Sequence, residues 1–270
     1  MIRVAVNGAL GRMGQTVCKA VFESQDLELC ALIDPSFNSS EGLSSPYKAV
    51  QFSSLEQALK EAEFEVLVDF TRPDAVKENL KSALSAGIHC VLGTTGSSEE
   101  ELKELHNQYA QKGARLFYAP NFTTGAVLMM CLSKVAAKFF PDVEIIEFHH
   151  NNKKDAPSGT AMRTAELIAD QRAQSGLNLT QAAAPGKETE LKEALGARGA
   201  EMNGIYIHAV RSNAYVAHQE VIFGSPGQSL TIRHDSIDRE AYMPGVLLAI
   251  RNIKTQDEPV VVGLEKLMGL

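Results

Sequence analysis

The sequence of 270 residues lacks several features that mark whole classes of protein. It contains no tryptophan, and its four cysteines are scattered, without a Cys-x-x-Cys pair or a histidine at zinc-ligand spacing. This pattern excludes a disulfide framework and a zinc site, and it predicts buried free thiols in a reducing compartment. We therefore expect no bound metal.

Excess positive charge and long apolar runs are also missing. The net charge is -7, so no basic field exists to attract a nucleic-acid backbone. No apolar run approaches the roughly 18 to 20 residues that a membrane span requires. The first residues enter a strand-like run without a charged and then apolar leader. These absences predict a cytoplasmic protein with neither a nucleic acid nor a membrane as partner.

The first part of the chain alternates between short β-rich runs and helical patterns. The predicted strands are 2–7, 27–33, 64–70, 88–92 and 115–118, and the predicted helices are 12–22, 55–62, 74–86 and 98–111. The strands are almost continuously apolar, which is typical of parallel strands covered on both faces. The alternation therefore predicts the α/β class, with a Rossmann-type doubly wound parallel sheet.

After residue 122 the pattern changes to that of a second, α+β domain. The predicted elements are helices 126–139 and 158–174 and strands 143–149, 205–210, 215–223 and 229–234, after which a helical pattern resumes over 241–253. The last two strands follow each other across a short turn, so we expect a mixed, largely antiparallel sheet. The charged, Gly- and Ala-rich segment 175–199 carries no clear periodicity and is expected to be an exposed excursion.

A glycine turn, residues 8–14, follows the first strand directly and opens the first helix. Glycines let the backbone approach a pyrophosphate, whose charge the helix N-terminal N–H groups then meet. The spacing is Gly-x-x-Gly-x-x-Gly, with Leu10 where the usual motif has its middle glycine, so the turn alone is a weak signal. Asp34, at the end of the second strand, could accept hydrogen bonds from ribose hydroxyls. A tight turn without a ligand is the alternative, and the combined pattern favours a dinucleotide.

Two further turns, Phe70-Thr71-Arg72-Pro73 and Gly93-Thr94-Thr95-Gly96, each follow an apolar strand. They fall at the carboxyl edge, where open α/β sheets bind ligands. The carboxylate of Asp34 would repel a 2′-phosphate, and the residues that follow it offer no cation. The sequence thus favours NADH over NADPH as cofactor, although Arg12 or Lys48 could fold towards the phosphate.

The second polar cluster runs from Glu147 to Thr160. Because His149 and His150 point to opposite faces of a strand, they are not placed to chelate one metal and are expected to have different roles. The run 158–160 stands at a predicted helix start, where N–H groups and hydroxyls could bind a carboxylate next to the cation of Lys153 or Lys154. Singly, these residues could be a structural histidine, solvated lysines and a helix cap. Together they predict a pocket for a small dicarboxylate.

These motifs resemble the 4-hydroxy-tetrahydrodipicolinate reductase family over nearly the whole chain. The resemblance rests on the glycine turn, Asp69-Phe70-Thr71-x-Pro73, Gly93-Thr94-Thr95-Gly96, Pro120-Asn121-Phe122, Glu147-x-His149-His150-x-x-Lys153-x-Asp155-Ala156-Pro157-Ser158-Gly159-Thr160-Ala161, residues 207–211, 217–219 and 234–239. The long central motif is highly specific.

The resemblance implies a two-domain enzyme of lysine biosynthesis. Residues 1–122 and 239–270 would form the dinucleotide-binding domain, and residues 123–238 the substrate-binding and oligomerisation domain of a homotetramer. Hydride would pass from nicotinamide C4 of NADH or NADPH to an unsaturated cyclic imine dicarboxylate, formed by loss of water from the substrate.

The resemblance also implies roles for individual residues. His149 would be the acid/base group, and Lys153 a second proton donor and carboxylate anchor. His150, Ser158, Gly159 and Thr160 would hold the substrate carboxylates. The predicted cofactor contacts are Gly8, Ala9, Leu10, Gly11, Arg12, Met13, Asp34, Phe70, Thr71, Gly93, Thr94, Thr95, Ala119, Pro120, Asn121 and Phe122.

Two rival functions fit parts of the pattern. One is another reductase of the same architecture, acting on an amino-acid semialdehyde or an imino acid. The other is a non-catalytic redox sensor that binds NADH and a partner protein. The chain departs from the family at Asn151-Asn152 and over residues 211–215, where a turn containing glycine is expected.

Overall fold

The computed structural model describes residues 1–38, 46–176 and 198–270. The chain divides into two compact units, residues 1–124 with 239–270, and residues 125–238. Most of the predicted excursion 175–199 lies outside the described residues. Within the described ranges, no helix is both long enough and apolar enough to cross a membrane.

The strands and helices follow one another in the order that the sequence patterns indicate, with a few short additions. The strands are β1 (Ile2–Asn7), β2 (Leu27–Ile33), β3 (Val50–Phe52), β4 (Val66–Asp69), β5 (His89–Leu92), β6 (Leu116–Tyr118), β7 (Asp142–His149), β8 (Ala200–Met202), β9 (Ile205–Arg211), β10 (Ala217–Ser225), β11 (Gln228–Ser236) and β12 (Val260–Val262). The helices are α1 (Arg12–Glu23), α2 (Leu55–Glu61), α3 (Pro73–Ala86), α4 (Glu99–Tyr109), α5 (Thr124–Ala136), α6 (Gly159–Ser175), α7 (Met243–Asn252) and α8 (Glu265–Met268).

The first unit is built on a seven-stranded sheet in the order β12-β6-β5-β4-β1-β2-β3. All its pairings are parallel, and the strand order reverses at β1. Because helices cover such a sheet, its middle strands are buried on both sides, as the wholly buried run of β4 shows. The predicted α/β class is confirmed.

Register brings the ends of the central strands to one edge of this sheet. Asn7 pairs with Ile33 and Asp69, Asp69 pairs with Leu92, and Leu92 pairs with Tyr118. The glycine turn, Asp34 and the turns that follow β4, β5 and β6 therefore start side by side at the carboxyl edge.

The second unit contains a five-stranded sheet in the order β11-β10-β7-β9-β8, in which only β7 and β9 are parallel. This agrees with the predicted mixed, largely antiparallel sheet. Every second residue of β7 is buried, namely Val143, Ile145 and Glu147. The two apolar residues belong to a core that includes residues of α5 and α6. Glu147 continues this row, so its carboxylate occupies a position that an apolar side chain would ordinarily fill.

Three short strands were missed by the sequence analysis. β3, β8 and β12 have three residues each. Three residues are too few to establish a two-residue period, and pairing with longer neighbours stabilises each strand. The predicted strand 215–223 was also placed two residues early, because β10 begins at Ala217.

We expect substitution of Gly14 by alanine to destabilise the first unit. A Cβ at Gly14 would lie 1.9 Å from the Gly8 carbonyl oxygen, which cannot yield without disrupting the glycine turn. We predict that Gly14→Ala lowers the free energy of unfolding by about 3 kcal/mol, the upper end for overpacking. Urea denaturation measures this loss. Gly159→Ala is the control, because a Cβ there meets nothing within 4 Å. Equal stability of Gly14→Ala and wild type would contradict the prediction.

Candidate active site

At the start of α1, the glycine turn leaves the backbone uncovered by side chains at its glycine positions. Gly8 has a φ of +81°, and a Cβ on it would lie 2.9 Å from the carbonyl oxygen of Phe70. Gly11 is the N-cap residue, and the first turn of α1 contains no acidic side chain. The N-terminal N–H groups of a helix have no intrahelical acceptors and attract anions. The turn therefore fits the pyrophosphate of a dinucleotide.

Asp34 is joined to this turn. Its Oδ2 accepts a hydrogen bond from the N–H of Leu10 at 3.1 Å, and its Oδ1 accepts one from the N–H of Ser36 at 3.0 Å. A carboxylate has about four acceptor sites, so two bonds leave capacity for ribose hydroxyls. The carboxylate thus fixes the glycine turn, and the expected ribose contact stays a prediction.

Asp69, at the end of β4, organises the next turn. Its side chain is buried and accepts hydrogen bonds from the N–H and hydroxyl of Thr71 at 2.9 and 2.6 Å. The side-chain amides of Asn7 and Asn79 donate to its other oxygen at 3.1 and 2.8 Å. Burial raises the pKa of Asp69, although these hydrogen bonds partly oppose the rise. Asp69 thereby holds the turn that starts at Phe70.

The turns that follow β5 and β6 pack on the turn that starts at Phe70. A Cβ at Gly93 would meet the Phe70 ring at 2.2 Å, so only glycine fits here. The Thr94 hydroxyl donates to the Thr71 carbonyl oxygen at 3.0 Å. The ring of Phe122 lies 5.9 Å from that of Phe70. Of the remaining predicted cofactor residues, Ala119 is buried and Thr95, Pro120 and Arg12 are exposed. Lys48, the other cation considered for a 2′-phosphate, is exposed and precedes β3.

In the second unit, β7 brings Glu147 and His149 to the same face of the sheet. The Nδ1 atom of His149 lies 2.5 Å from Oε2 of Glu147, whose side chain is 0% exposed. The buried Glu147 carboxylate requires hydrogen-bond donors and a positive charge close by, because an unpaired buried carboxylate costs several kcal/mol.

Arg211 on β9 supplies the charge that balances Glu147. Its Nη1 and Nη2 donate to Oε2 and Oε1 of Glu147 at 2.8 and 2.7 Å, a bidentate pair. The N–H of Ser158 also donates to Oε1, at 3.2 Å. Burial raises the pKa of Glu147, but hydrogen bonds from His149 and Arg211 outweigh it and hold the pKa below its usual range. Glu147 therefore links β7, β9 and the start of α6.

Lys153 is held close to this pair. Its Nζ donates to both side-chain oxygens of Asp155, at 2.8 and 2.9 Å, and lowers the pKa of that carboxyl. Arg211 donates from Nη2 to the carbonyl oxygen of Asp155 at 2.8 Å. A dicarboxylate that bound Lys153 would therefore compete with Asp155 for the ammonium.

The start of α6 offers a second anion site beside Lys153. Ser158 is the buried N-cap residue, and its hydroxyl oxygen accepts a hydrogen bond from the N–H of Ala161 at 3.2 Å. Gly159 is exposed and Thr160 half-buried, and the N–H groups of these first two helical residues have no intrahelical acceptor. Hydrogen bonds thus join His149, Lys153 and Ser158 in one network through Glu147, Arg211 and Asp155. The side chain of His150 is exposed.

Glu147 and Arg211 are the functional residues to which the sequence analysis gave no role. The signal for Glu147 was an acidic residue in phase with the apolar residues Val143 and Ile145. A charge in that position requires a buried cation, but the sequence does not say which one, because Arg211 lies 64 residues away. Among the described residues, no group of three or more His, Cys, Asp and Glu side chains could hold a metal ion.

Comparison with known families decides which family the chain belongs to. The model of the dihydrodipicolinate reductase N-terminus matches residues 2–122, and that of the C-terminus matches residues 125–268. The chain belongs to the dihydrodipicolinate reductase family. It is accordingly an oxidoreductase, and its N-terminal family domain supports the use of a nicotinamide dinucleotide. The family predicted from the sequence motifs is confirmed.

Individual relatives of this dihydrodipicolinate reductase family member agree over the whole chain. It is 47% identical to a 4-hydroxy-tetrahydrodipicolinate reductase of Listeria monocytogenes, covering 99% of this chain and 100% of the relative. It is 46% identical to that of Thermobifida fusca, with 100% of both covered. A dipicolinate-bound dihydrodipicolinate reductase of Paenisporosarcina sp. TG-14 superposes with a TM-score of 0.84 at 38% identity, covering 98% of this chain and 99% of that one.

The titration of Glu147 predicts how stability depends on pH. Because folding lowers its pKa below the ordinary value of 4.5, this carboxylate stabilises the fold above that pH and loses its contribution as pH falls through the lowered pKa. We expect Glu147→Gln to lower the free energy of unfolding at neutral pH by about 3 kcal/mol, the value for breaking a buried pair. The difference from wild type should narrow below about pH 4.

Urea denaturation between about pH 3 and 7 measures this difference. Glu166→Gln is the control, because this partly exposed carboxylate pairs with Arg163 at the surface of α6 and should contribute little. A Glu147→Gln deficit that stays constant over the whole pH range would contradict the assignment.

Proposed function

We propose that this chain reduces 4-hydroxy-tetrahydrodipicolinate to tetrahydrodipicolinate, with loss of water, in the diaminopimelate pathway to lysine. The single observation that carries the proposal is the network that joins His149, Lys153 and the N-terminus of α6 through Glu147 and Arg211. A semialdehyde or imino-acid reductase has no need for this double anion site. A non-catalytic sensor has no need for a buried carboxylate behind a histidine.

The Lys153 ammonium and the N-terminus of α6 are the groups that we assign to the substrate carboxylates. A lysine ammonium is a compact point charge, and unpaired N–H groups with a helix dipole favour an anion without needing a second cation. Dipicolinate, the ligand of the Paenisporosarcina enzyme, is a dicarboxylate of this type. Displacement of Asp155 by a substrate carboxylate would release Lys153 for binding.

The reaction needs one hydride and one proton. A reduced dinucleotide held at the glycine turn would supply the hydride for the unsaturated cyclic imine that remains after water is lost. His149 would then donate a proton to the resulting enamine, since an imidazole exchanges protons near neutral pH, and Lys153 would serve as a second proton donor. General acid catalysis of this kind typically contributes about 10²- to 10⁴-fold to the rate.

We propose NADH as the favoured cofactor. The Asp34 carboxylate stands next to the glycine turn through its bond to Leu10 and would repel a 2′-phosphate. The exposed side chains of Arg12 and Lys48 could approach such a phosphate, so NADPH should also be accepted.

We also propose a cytoplasmic homotetramer in which residues 123–238 mediate substrate binding and assembly. The face of the second sheet opposite its apolar core carries Ile146, Phe148 and Ile222, which are only half-buried. Apolar groups left partly exposed in this way favour association. Light scattering should give four times the mass of one chain, and a stable monomer would contradict this arrangement.

The decisive experiment measures NADH and NADPH oxidation with freshly generated 4-hydroxy-tetrahydrodipicolinate. We expect turnover with both cofactors and a higher kcat/KM with NADH.

Lys153→Ala should lose about 10²- to 10⁴-fold in turnover and keep its NADH affinity. Lys154→Ala is the matched control, because the side chain of Lys154 is exposed and should be dispensable. Equal turnover in Lys153→Ala and wild type would refute the assignment.

A further inference from the structure

The Glu147 carboxylate is enclosed by donors on all sides. His149 Nδ1, both terminal nitrogens of Arg211 and the N–H of Ser158 account for its contacts, and the side chain has no exposed surface. Because the bidentate guanidinium balances its charge, this carboxylate is ionised at neutral pH and can only accept hydrogen bonds.

This geometry decides which nitrogen of His149 carries a permanent proton. Nδ1 lies 2.5 Å from an acceptor, so Nδ1 is the donor whether the ring is neutral or protonated. Only Nε2 can then change its protonation. It is a lone-pair acceptor in the neutral ring and an N–H donor in the cation.

Arg211 ties the second catalytic group to the same frame. Its Nη2 bridges Glu147 Oε1 and the carbonyl oxygen of Asp155, whose side chain holds Lys153. The positions of His149 and Lys153 thus both depend on the Glu147–Arg211 pair. The Glu147 side chain has no exposed surface, so it acts only through the groups that it holds.

We propose that Glu147, clamped by Arg211, is a positioning residue that fixes His149 as the Nδ1–H tautomer, so that Nε2 is the atom that gives its proton to the reduced substrate. The inference rests on the proposed function, in which His149 is the acid/base group. In the proton transfer, the Nε2–H bond of the imidazolium breaks and a C–H bond of the product forms. His149 is left neutral with its proton on Nδ1.

The test is Glu147→Gln in the full-length enzyme. Arg211 donates to both carboxylate oxygens, but the Ser158 N–H also donates to Oε1, whereas Oε2 faces His149, whose Nδ1 can become an acceptor. The new amide should therefore keep its oxygen at the Oε1 position and place its nitrogen at the Oε2 position, where it loses the Nη1 bond and donates to Nδ1. The neutral ring should then switch to the Nε2–H tautomer. We expect kcat to fall by about 10²- to 10⁴-fold, as when the carboxylate behind a catalytic histidine is replaced by an amide. The dissociation constant of NADH should change by less than about threefold, because the glycine turn is untouched.

The tautomer is read directly from side-chain ¹⁵N chemical shifts of histidine-labelled protein. His149→Gln identifies the His149 signals by their disappearance. Wild type should show a protonated Nδ1 and a bare Nε2 in the neutral ring, and Glu147→Gln should show the reverse. Arg211→Lys should keep the wild-type tautomer and lose about tenfold in kcat, since it retains the carboxylate but loses the bidentate clamp.

Glu144→Gln is the matched control. Glu144 lies on the same strand and bonds one histidine and one arginine, His208 at 2.7 Å and Arg198, but it faces the opposite side of the sheet. We expect its kcat to stay within about twofold of wild type at the same molar mass by light scattering. A loss in Glu144→Gln as large as that in Glu147→Gln would overturn the proposal.

The acid/base role of His149 and the positioning role of Glu147 can fail separately. If His149→Gln retains turnover, the acid/base role fails, whatever the tautomer. If His149→Gln is inactive but Glu147→Gln keeps the wild-type tautomer, or keeps kcat within about threefold, the positioning role fails and the proposed function stands. Should Glu147→Gln not fold, a wild-type His149 that is protonated on Nε2 in its neutral form overturns the proposal by itself.

Discussion

The Glu147 carboxylate lies in phase with the apolar residues of β7, where an unpaired charge would cost several kcal/mol. That cost is offset only if Arg211, His149 and the first peptide of α6 all stay within hydrogen-bond distance. The same requirement that stabilises the core therefore fixes the geometry of the site. If His149 is the acid/base group, as proposed, its position follows from the need to neutralise a buried charge.

The first unit uses a comparable device. Asp69 is buried at the end of β4 and is surrounded by donors from Thr71, Asn7 and Asn79. It sets the turn on which the glycine turn and Gly93 pack, so that the proposed cofactor edge also depends on one enclosed carboxylate. In each unit a buried carboxylate, Asp69 or Glu147, fixes a segment of the proposed site through hydrogen bonds. These segments are the turn after β4 and the start of α6.

Much of this architecture could be predicted from local signals. Apolar runs, helix periodicity and the position of glycines predicted the parallel sheet and its carboxyl edge, because these features depend on neighbouring residues. The three-residue strands β3, β8 and β12 could not be predicted, since only pairing with a distant strand makes them regular. The motif around His149 predicted a substrate site in the second unit, and the roles of its residues stay predictions. It could not predict the clamp, because the partner Arg211 comes from another strand of the sheet.

In the proposed function, Asp155 and a substrate carboxylate would compete for Lys153. Arg211 holds the carbonyl oxygen of Asp155, whereas the Asp155 side chain holds the Lys153 ammonium. The ammonium could therefore change partners while the contacts of Glu147 with His149 stay in place.

A crystal structure of the enzyme with NADH and dipicolinate tests this account most directly. We expect a dipicolinate carboxylate in contact with Lys153 and the N-terminus of α6, with the Glu147 contacts to His149, Arg211 and Ser158 unchanged and His149 Nε2 facing the ligand. A complex in which His149 has left Glu147, or in which dipicolinate binds away from Lys153, would contradict it.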